Sequence, residues 1–372
     1  MNDTPHSILE RVPLHLQNIS PYIPSQPDDI LKKLFRAPFL YRMNNNENVL
    51  GPPQTAIDAI TKFDPGLVSQ YPSGDSYHLR LRLSQIHGLP MTSFIIGNGA
   101  NEGVNSIVQA FCRPGDTIIT ADKTFSMYEW VAEYSEITPN LIPLKDNGFD
   151  GEAILAACDK KTKIIYLCNP NNPTGTYWND TILREFLDKV QGKQIVVIDE
   201  AYAEYVKASD YPDGIKLISD YPNLIVFRTF SKMYGLAGLR IGYLASSPMV
   251  TDIIRRTSPV YSVNTLAQVA ALGALADDGS HIRKTCSMVT ESRRYTEREL
   301  KKIGLSYISG EGNFILIEAP ISDTLVYRRL MHCGYMVRPM TQFRFPNYIR
   351  VTFHQIPVME GFLSVLPKCI GK

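Results

Sequence analysis

The chain has 372 residues, more than the roughly 250–300 over which one core keeps growing, so two lobes are expected. Its 38 lysines and arginines nearly balance 37 aspartates and glutamates, and a net charge of +1 argues against a polyanion binder, because nucleic-acid domains carry a basic patch. Seven histidines without H-E-x-x-H spacing argue against a catalytic metal, and no uninterrupted apolar stretch reaches membrane-spanning length.

Residues 1–45 are Pro-rich and read as an irregular arm that packs on a lobe or a partner. Asp3, Glu10 and Arg11 stand where a signal peptide would need an apolar region, so none is expected. Cys112, Cys158, Cys168, Cys286, Cys333 and Cys369 lack C-x-x-C pairing and read as reduced thiols of a cytosolic protein. Residues 46–258 read as a large domain in which buried strands at 117–120, 163–168, 194–199 and 224–228 alternate with helices. That pattern predicts an α/β fold, a largely parallel sheet with helices on both faces.

The apolar run Phe94-Ile95-Ile96 leads into Gly97-Asn98-Gly99-Ala100-Asn101-Glu102-Gly103. A dinucleotide fingerprint needs glycine where Glu102 stands, so that reading fails. What remains is a helix start whose free amides suit one phosphate, followed by Val104, Ile107, Val108 and Phe111 at helical spacing. Residues 163–168 run into Asn169-Pro170-Asn171-Asn172-Pro173-Thr174-Gly175, where two prolines and a glycine hold Asn172 in a fixed loop. Residues 195–198 end in Asp199, and a carboxylate at the carboxyl end of a parallel strand points into the crevice where such sheets bind ligands. There it can pair with a protonated pyridine nitrogen.

Lys232 follows the apolar run 224–227 within Thr229-Phe230-Ser231-Lys232 and precedes Arg240 by eight residues. A partly desolvated ε-amine has a lowered pKa and attacks aldehydes near neutral pH, which makes Lys232 a candidate Schiff-base lysine for pyridoxal phosphate. Thr229, Ser231 and Arg240 are placed to complete a phosphate cup. Residues 239–244 follow too closely for a crossover helix and are expected to form an antiparallel strand. From about 259 the pattern changes to a small C-terminal domain, 259–372, with helices at 266–276 and 282–302 and strands at 313–317 and 348–353. Alternation in the last strand puts Arg350 on one face with Tyr348 and Thr352.

Together these segments resemble the fold-type I pyridoxal-phosphate aminotransferases, and within them the histidinol-phosphate aminotransferase group. The resemblance rests on Asn46 to Pro52, Tyr71-Pro72, Gly97 to Glu102, Asn169 to Gly175, Asp199 to Tyr202, Thr229 to Lys232, Gly238 to Gly242 and Ile349 to Thr352. It implies a large lobe with a mostly parallel, seven-stranded-type sheet and a smaller α+β lobe. It also implies pyridoxal 5'-phosphate as cofactor, an amino donor and a 2-oxo acid as substrates, and a cytoplasmic homodimer with a shared active site. By that resemblance Lys232 holds the cofactor and shuttles the substrate proton, and Asp199 pairs with the ring nitrogen. Asn172 and Tyr202 bond the phenolic oxygen, and Phe125 stacks on the ring. Ala100, Asn101, Thr229, Ser231 and Arg240 bind the phosphate, with Tyr71 reaching it from the partner. Arg350 takes the α-carboxylate, while Arg338, Tyr22 and Asn172 are further substrate candidates, with Arg344 a rival to Arg338.

Val49, Asn101 and Phe125 replace the usual proline, aspartate and tyrosine, and 353–357 lacks an expected Gly-Thr pair. These changes spare the catalytic groups and leave the substrate open. Two other readings fit the same motifs: a decarboxylase on this fold, such as the threonine-phosphate decarboxylase group, and a non-catalytic cofactor-binding effector module. The latter would need a DNA-binding domain, for which no room is expected before Asn46.

Overall fold

The protein's structure, a computed structural model, describes residues 8–21 and 26–371. Seven strands form the larger sheet in the order Phe94–Gly97, Gly242–Ser246, Leu224–Thr229, Ile195–Asp199, Thr162–Cys168, Thr117–Ala121, Thr138–Ile142. Gly242–Ser246 runs against both its neighbours, and every other pairing is parallel. Central strands of such a sheet must be apolar on both faces because helices cover both. Accordingly Val196 and Ile198 join one core with Leu183, Phe186 and Leu187 of helix Asp180–Val190. Val197 joins the other with Ile107 and Val108 of helix Ala100–Phe111. Each such buried aliphatic side chain contributes about 1.5–3 kcal/mol.

The smaller sheet is antiparallel, in the order Arg338–Pro339, Tyr348–Thr352, Phe314–Glu318, Tyr307–Ser309. Ile349 and Val351 enter its core with Leu330 of helix Asp323–His332 and with Phe362 and Leu366 of helix Ile356–Ile370. Helix Ser280–Lys302 adds Val289 and Leu300 to the same core. The alternation read for this strand holds: Arg350 and Thr352 point away from that core and toward the larger sheet's crevice, where they bond Asn172 and Asn46.

Two expectations need correction. Residues 1–45 are not simply irregular, since Asp28–Phe35 is an α-helix. Asp28 and Asp29 stand in its first turn and Lys32 and Lys33 in its last, matching the helix dipole. Leu31 packs against Met331 and Met336 of the same chain, with Phe35 one turn on against that cluster. The antiparallel strand begins at Gly242, not at 239. Ala237–Leu239 is a 3₁₀ turn and Arg240 takes a left-handed conformation (φ 57°), which a ladder cannot accommodate.

A strap from Met43 to Asn48 ties the two sheets together. Met43 N–H donates to Met336 O (2.8 Å) and Thr352 N–H to Met43 O (2.9 Å). Asn313 Nδ2 donates to Asn46 O (3.2 Å), and Asn48 Nδ2 donates to Met233 O (2.7 Å), next to Lys232. A second tie joins backbones: Glu311 N–H donates to Gly175 O (2.8 Å), and a Cβ on Gly310 would lie 2.3 Å from Gly175. No helix among the described residues is long and apolar enough to cross a membrane.

Candidate active site

Strand ends position the site. Cys168, Asp199 and Thr229 are the last residues of three adjacent parallel strands, so their side chains and following loops share one crevice. The small sheet closes it to leave a cavity of about 650 Å³. Of the residues singled out from sequence, Ala100, Asn101, Phe125, Asn172, Asp199, Tyr202, Thr229, Ser231, Lys232, Arg240, Arg338 and Arg350 all line it. Tyr71 does not: it is 85 % exposed and packs on the Tyr261 ring, 5.1 Å between centroids. Tyr22 lies outside the described residues. Arg344 does not line the cavity, because its guanidinium is occupied by Glu129 (2.6 Å) and by Asp122 O (3.1 Å).

Lys232 Nζ donates to Asn45 O at 2.7 Å and stands 5.9 Å from the centre of the Tyr202 ring. Burial, with Arg350 next in weight, lowers its pKa to about 8, against the opposing pull of Glu47 and Asp199. The amine is thus a nucleophile near neutrality. Asp199 is buried, and its oxygens accept from the Tyr128 hydroxyl (2.7 Å) and the Ala201 amide (3.0 Å). Burial pushes this carboxyl above the usual range, while these two donors and Lys232 pull it back. A carboxylate held by neutral donors at a cavity wall is suited to a cationic nitrogen placed before it.

The loop holding Asn172 is fixed by its neighbour. Asn171 is fully buried and accepts from Thr124 Oγ1 (2.7 Å) while donating to Thr174 Oγ1 (2.9 Å) and Lys123 O (3.1 Å). It thereby joins this loop to the one carrying Phe125. Asn172 Oδ1 accepts from Arg350 Nη1, so its Nδ2 is the end left to donate into the cavity. Arg350 Nη2 donates to Asn44 O (2.7 Å), and its guanidinium lies 5.7 Å from the Phe314 ring. Arg350 Nε is buried and has no partner among the described residues. Burial lowers the Arg350 pKa to about 10, which leaves it charged at neutral pH. Arg338 is its partner across the strand pair, and its guanidinium sits 5.3 Å from the Phe343 ring.

At the other end Gly99 (φ 80°) precedes helix Ala100–Phe111. A Cβ there would lie 2.3 Å from Arg240 Nη2, so only glycine lets the arginine and the helix amides approach one anion. Thr229 Oγ1 accepts from Ser231 N–H (3.0 Å) and holds the turn below. Nucleophilic amine, cation-seeking carboxylate, aromatic Phe125, amide donor and anion cradle together fit pyridoxal phosphate by the chemistry of the donor set.

Sequence reasoning missed Tyr128 and gave Asn46 no role. Tyr128 lies three residues after Phe125, at the start of helix Met127–Tyr134, a closeness that could have suggested it. It is fully buried and stacks on Tyr166 at 4.7 Å. Asn46 Nδ2 donates to Tyr202 Oη (2.9 Å), a contact across 156 positions that leaves no local trace.

The family described as aminotransferase class I and II matches residues 40–366. The chain is 34% identical over 359 residues to histidinol-phosphate aminotransferase 2 of Pseudomonas fluorescens, covering 96% of each. It is 37% identical over 339 residues to histidinol-phosphate aminotransferase 2 of Carboxydothermus hydrogenoformans, covering 91% of this chain and 93% of that one. The solved histidinol-phosphate aminotransferase of Sinorhizobium meliloti, in complex with pyridoxal-5'-phosphate, superposes with a TM-score of 0.87 at 25% identity. That match covers 97% of this chain and 98% of the other.

Proposed function

This chain belongs to the class I and II aminotransferases and is a pyridoxal-phosphate-dependent transaminating enzyme, and from that premise we propose that its amino donor is histidinol phosphate, exchanged against a 2-oxo acid. The observation that carries this donor is the cross-strand pair Arg338 and Arg350, both lining one cavity. Histidinol phosphate bears a phosphate ester on the carbon next to its amine-bearing carbon, whereas a 2-oxo acid bears a carboxylate directly on the reacting carbon. Arg350, pinned by Asn172 and Asn44, suits the anion common to both. Arg338 adds the second positive charge that a dianionic phosphate rewards. The names of the relatives support the same donor.

Bound pyridoxal phosphate supplies an aldehyde that condenses with amines and a ring that accepts the electron pair left at the substrate carbon. Lys232 is the residue that would hold the cofactor through its amine, and the same Nζ, as a free base, would take the proton from the donor's amine-bearing carbon. Its lowered pKa keeps Nζ able to take that proton near neutral pH. Asp199 holds the charge of the ring nitrogen, and Tyr128 holds Asp199. Asn172 Nδ2 and Tyr202 Oη would orient the phenolic oxygen, and Phe125, on the same cavity wall, would pack on the ring. The helix start at Ala100 and Asn101, with Thr229, Ser231 and Arg240, would bind the phosphate. The exposed Tyr71 supports a homodimer in which it reaches the partner subunit's phosphate site.

No relative reported above is a decarboxylase or an effector module, and neither reading is favoured. The test is spectroscopic. Holoenzyme mixed with histidinol phosphate, without acceptor, is expected to lose its visible absorption band rapidly, and glutamate to do the same. Conversion by another amino acid alone overturns the donor; carbon dioxide release without need of an acceptor overturns transamination.

A further inference from the structure

Asn46 is 1 % exposed and left-handed (φ 56°), a conformation asparagine tolerates better than most residues. That conformation turns its backbone N–H and its side chain toward the same strand. Its N–H donates to Thr352 Oγ1 (3.0 Å), Thr352 Oγ1 bonds Asn46 Oδ1 (3.2 Å), and Asn46 Nδ2 donates to Tyr202 Oη (2.9 Å). Thr352 is itself pinned by its N–H to Met43 O (2.9 Å).

Proton counting gives this chain of contacts one direction. A backbone N–H can only donate, so Thr352 Oγ1 accepts there and its single proton goes to Asn46 Oδ1. With the amide reversed that hydroxyl proton would have no acceptor among the described residues, so Oδ1 faces Thr352 and Nδ2 faces Tyr202. The Tyr202 oxygen therefore receives a proton donor from behind, and its own O–H is released for the cavity that its ring lines. Had the amide been reversed, Oδ1 would draw the Tyr202 proton backward.

We propose that Asn46 and Thr352 are positioning residues that polarise the Tyr202 hydroxyl, directing its proton into the cavity toward an anionic oxygen of the bound cofactor. This rests on the assignment of Tyr202 to the phenolic oxygen. A donor to an anionic oxygen stabilises the anion, so losing it raises the pH at which the chromophore gives up its proton.

The readout is the pH midpoint of the holoenzyme's visible absorption band, with cofactor content and melting temperature recorded for every variant. Tyr202→Phe should raise the midpoint. Asn46→Asp, which replaces donor by acceptor at nearly constant shape, should raise it as well. So should Thr352→Val, which frees the amide to turn its oxygen to Tyr202. Both rises should be about half a pH unit or more, and should be largely lost in a Tyr202→Phe background, because the effect runs through that hydroxyl. Thr352→Ser keeps the hydroxyl and should keep the wild-type midpoint. If Asn46→Asp fails to fold, Thr352→Val against Thr352→Ser decides alone. An unmoved midpoint in Tyr202→Phe overturns the assignment of Tyr202 and the relay with it. A shift in Tyr202→Phe with none in Thr352→Val, or equal shifts with and without Tyr202, overturns the relay alone.

Discussion

Replacing Arg338 by glutamine separates the proposed roles of the two arginines that line the cavity. Glutamine keeps the aliphatic stem and a hydrogen-bonding end and removes only the charge. Two unit charges about 4 Å apart attract by roughly 4 kcal/mol at an effective dielectric constant near 20. Arg338 is half-buried beside Phe343, so solvent reduces this to about 2–3 kcal/mol. That is roughly 30–150-fold in a rate ratio. The assay is the first half-reaction of holoenzyme, followed at the visible band, with histidinol phosphate and with histidinol. The quotient of their kcat/KM values isolates the phosphate from general damage to the site. It should fall by that factor in Arg338→Gln, while the value for histidinol stays within about threefold. An unchanged quotient refutes the two-arginine account, whatever happens to the absolute rates.

Apoprotein should capture pyridoxal phosphate with a rate that rises through a midpoint near pH 8, since the Lys232 amine loses its proton at about 8; a rise centred near the ordinary lysine value would contradict this. Tyr128→Phe leaves the stacking on Tyr166 intact but strips a donor from buried Asp199. It should cost about 1.5–3 kcal/mol in urea unfolding, and no loss would show the hydroxyl idle. His87 is held down to about 4 by burial, with the Arg228 charge adding, and its Nε2 lies 3.2 Å from Tyr243 Oη. Its folded pKa is below the unfolded one, so the unfolded chain takes the proton first. Stability is therefore lost as pH falls from 6.5 toward 4, by about 2–3 kcal/mol. His87→Gln should flatten that part of the acid dependence, and equal acid sensitivity in the two proteins would remove His87 as its source.

The residues legible in the sequence are those whose signal is local. Asp199, Asn172 and Lys232 each follow an apolar run closely, and a strand ending in a functional group can be read within a dozen residues. Arg344 shows the limit, since the partner that occupies it, Glu129, is 215 positions away. Separation in sequence also hid Asn46, whose partners Thr352 and Tyr202 lie 306 and 156 positions away. The helix Asp28–Phe35 escaped because it is only eight residues long amid prolines, and its buried face becomes meaningful only once Met331 and Met336 are beside it. The strand expected over 239–244 starts only at Gly242 because the turn after Lys232 sets Arg240 in a left-handed backbone, which no periodicity records.

The strap from Met43 to Asn48 has a consequence for how the enzyme is made. Asn46 meets Thr352, and Asn44 meets Arg350, across 306 positions each. At ribosomal speeds of roughly 5–20 residues per second, the early segment waits about 15–60 s for its partners to be synthesised. The larger sheet, finished at Ser246, has all its strands in hand well before then. Three of the polar groups at the site, Arg350, Asn172 and Asn46, therefore reach their final hydrogen bonds only after nearly the whole chain has left the ribosome. A nascent chain stopped before the Tyr348–Thr352 strand would carry Lys232 and Asp199 without Arg350, the arginine that holds Asn172 in place.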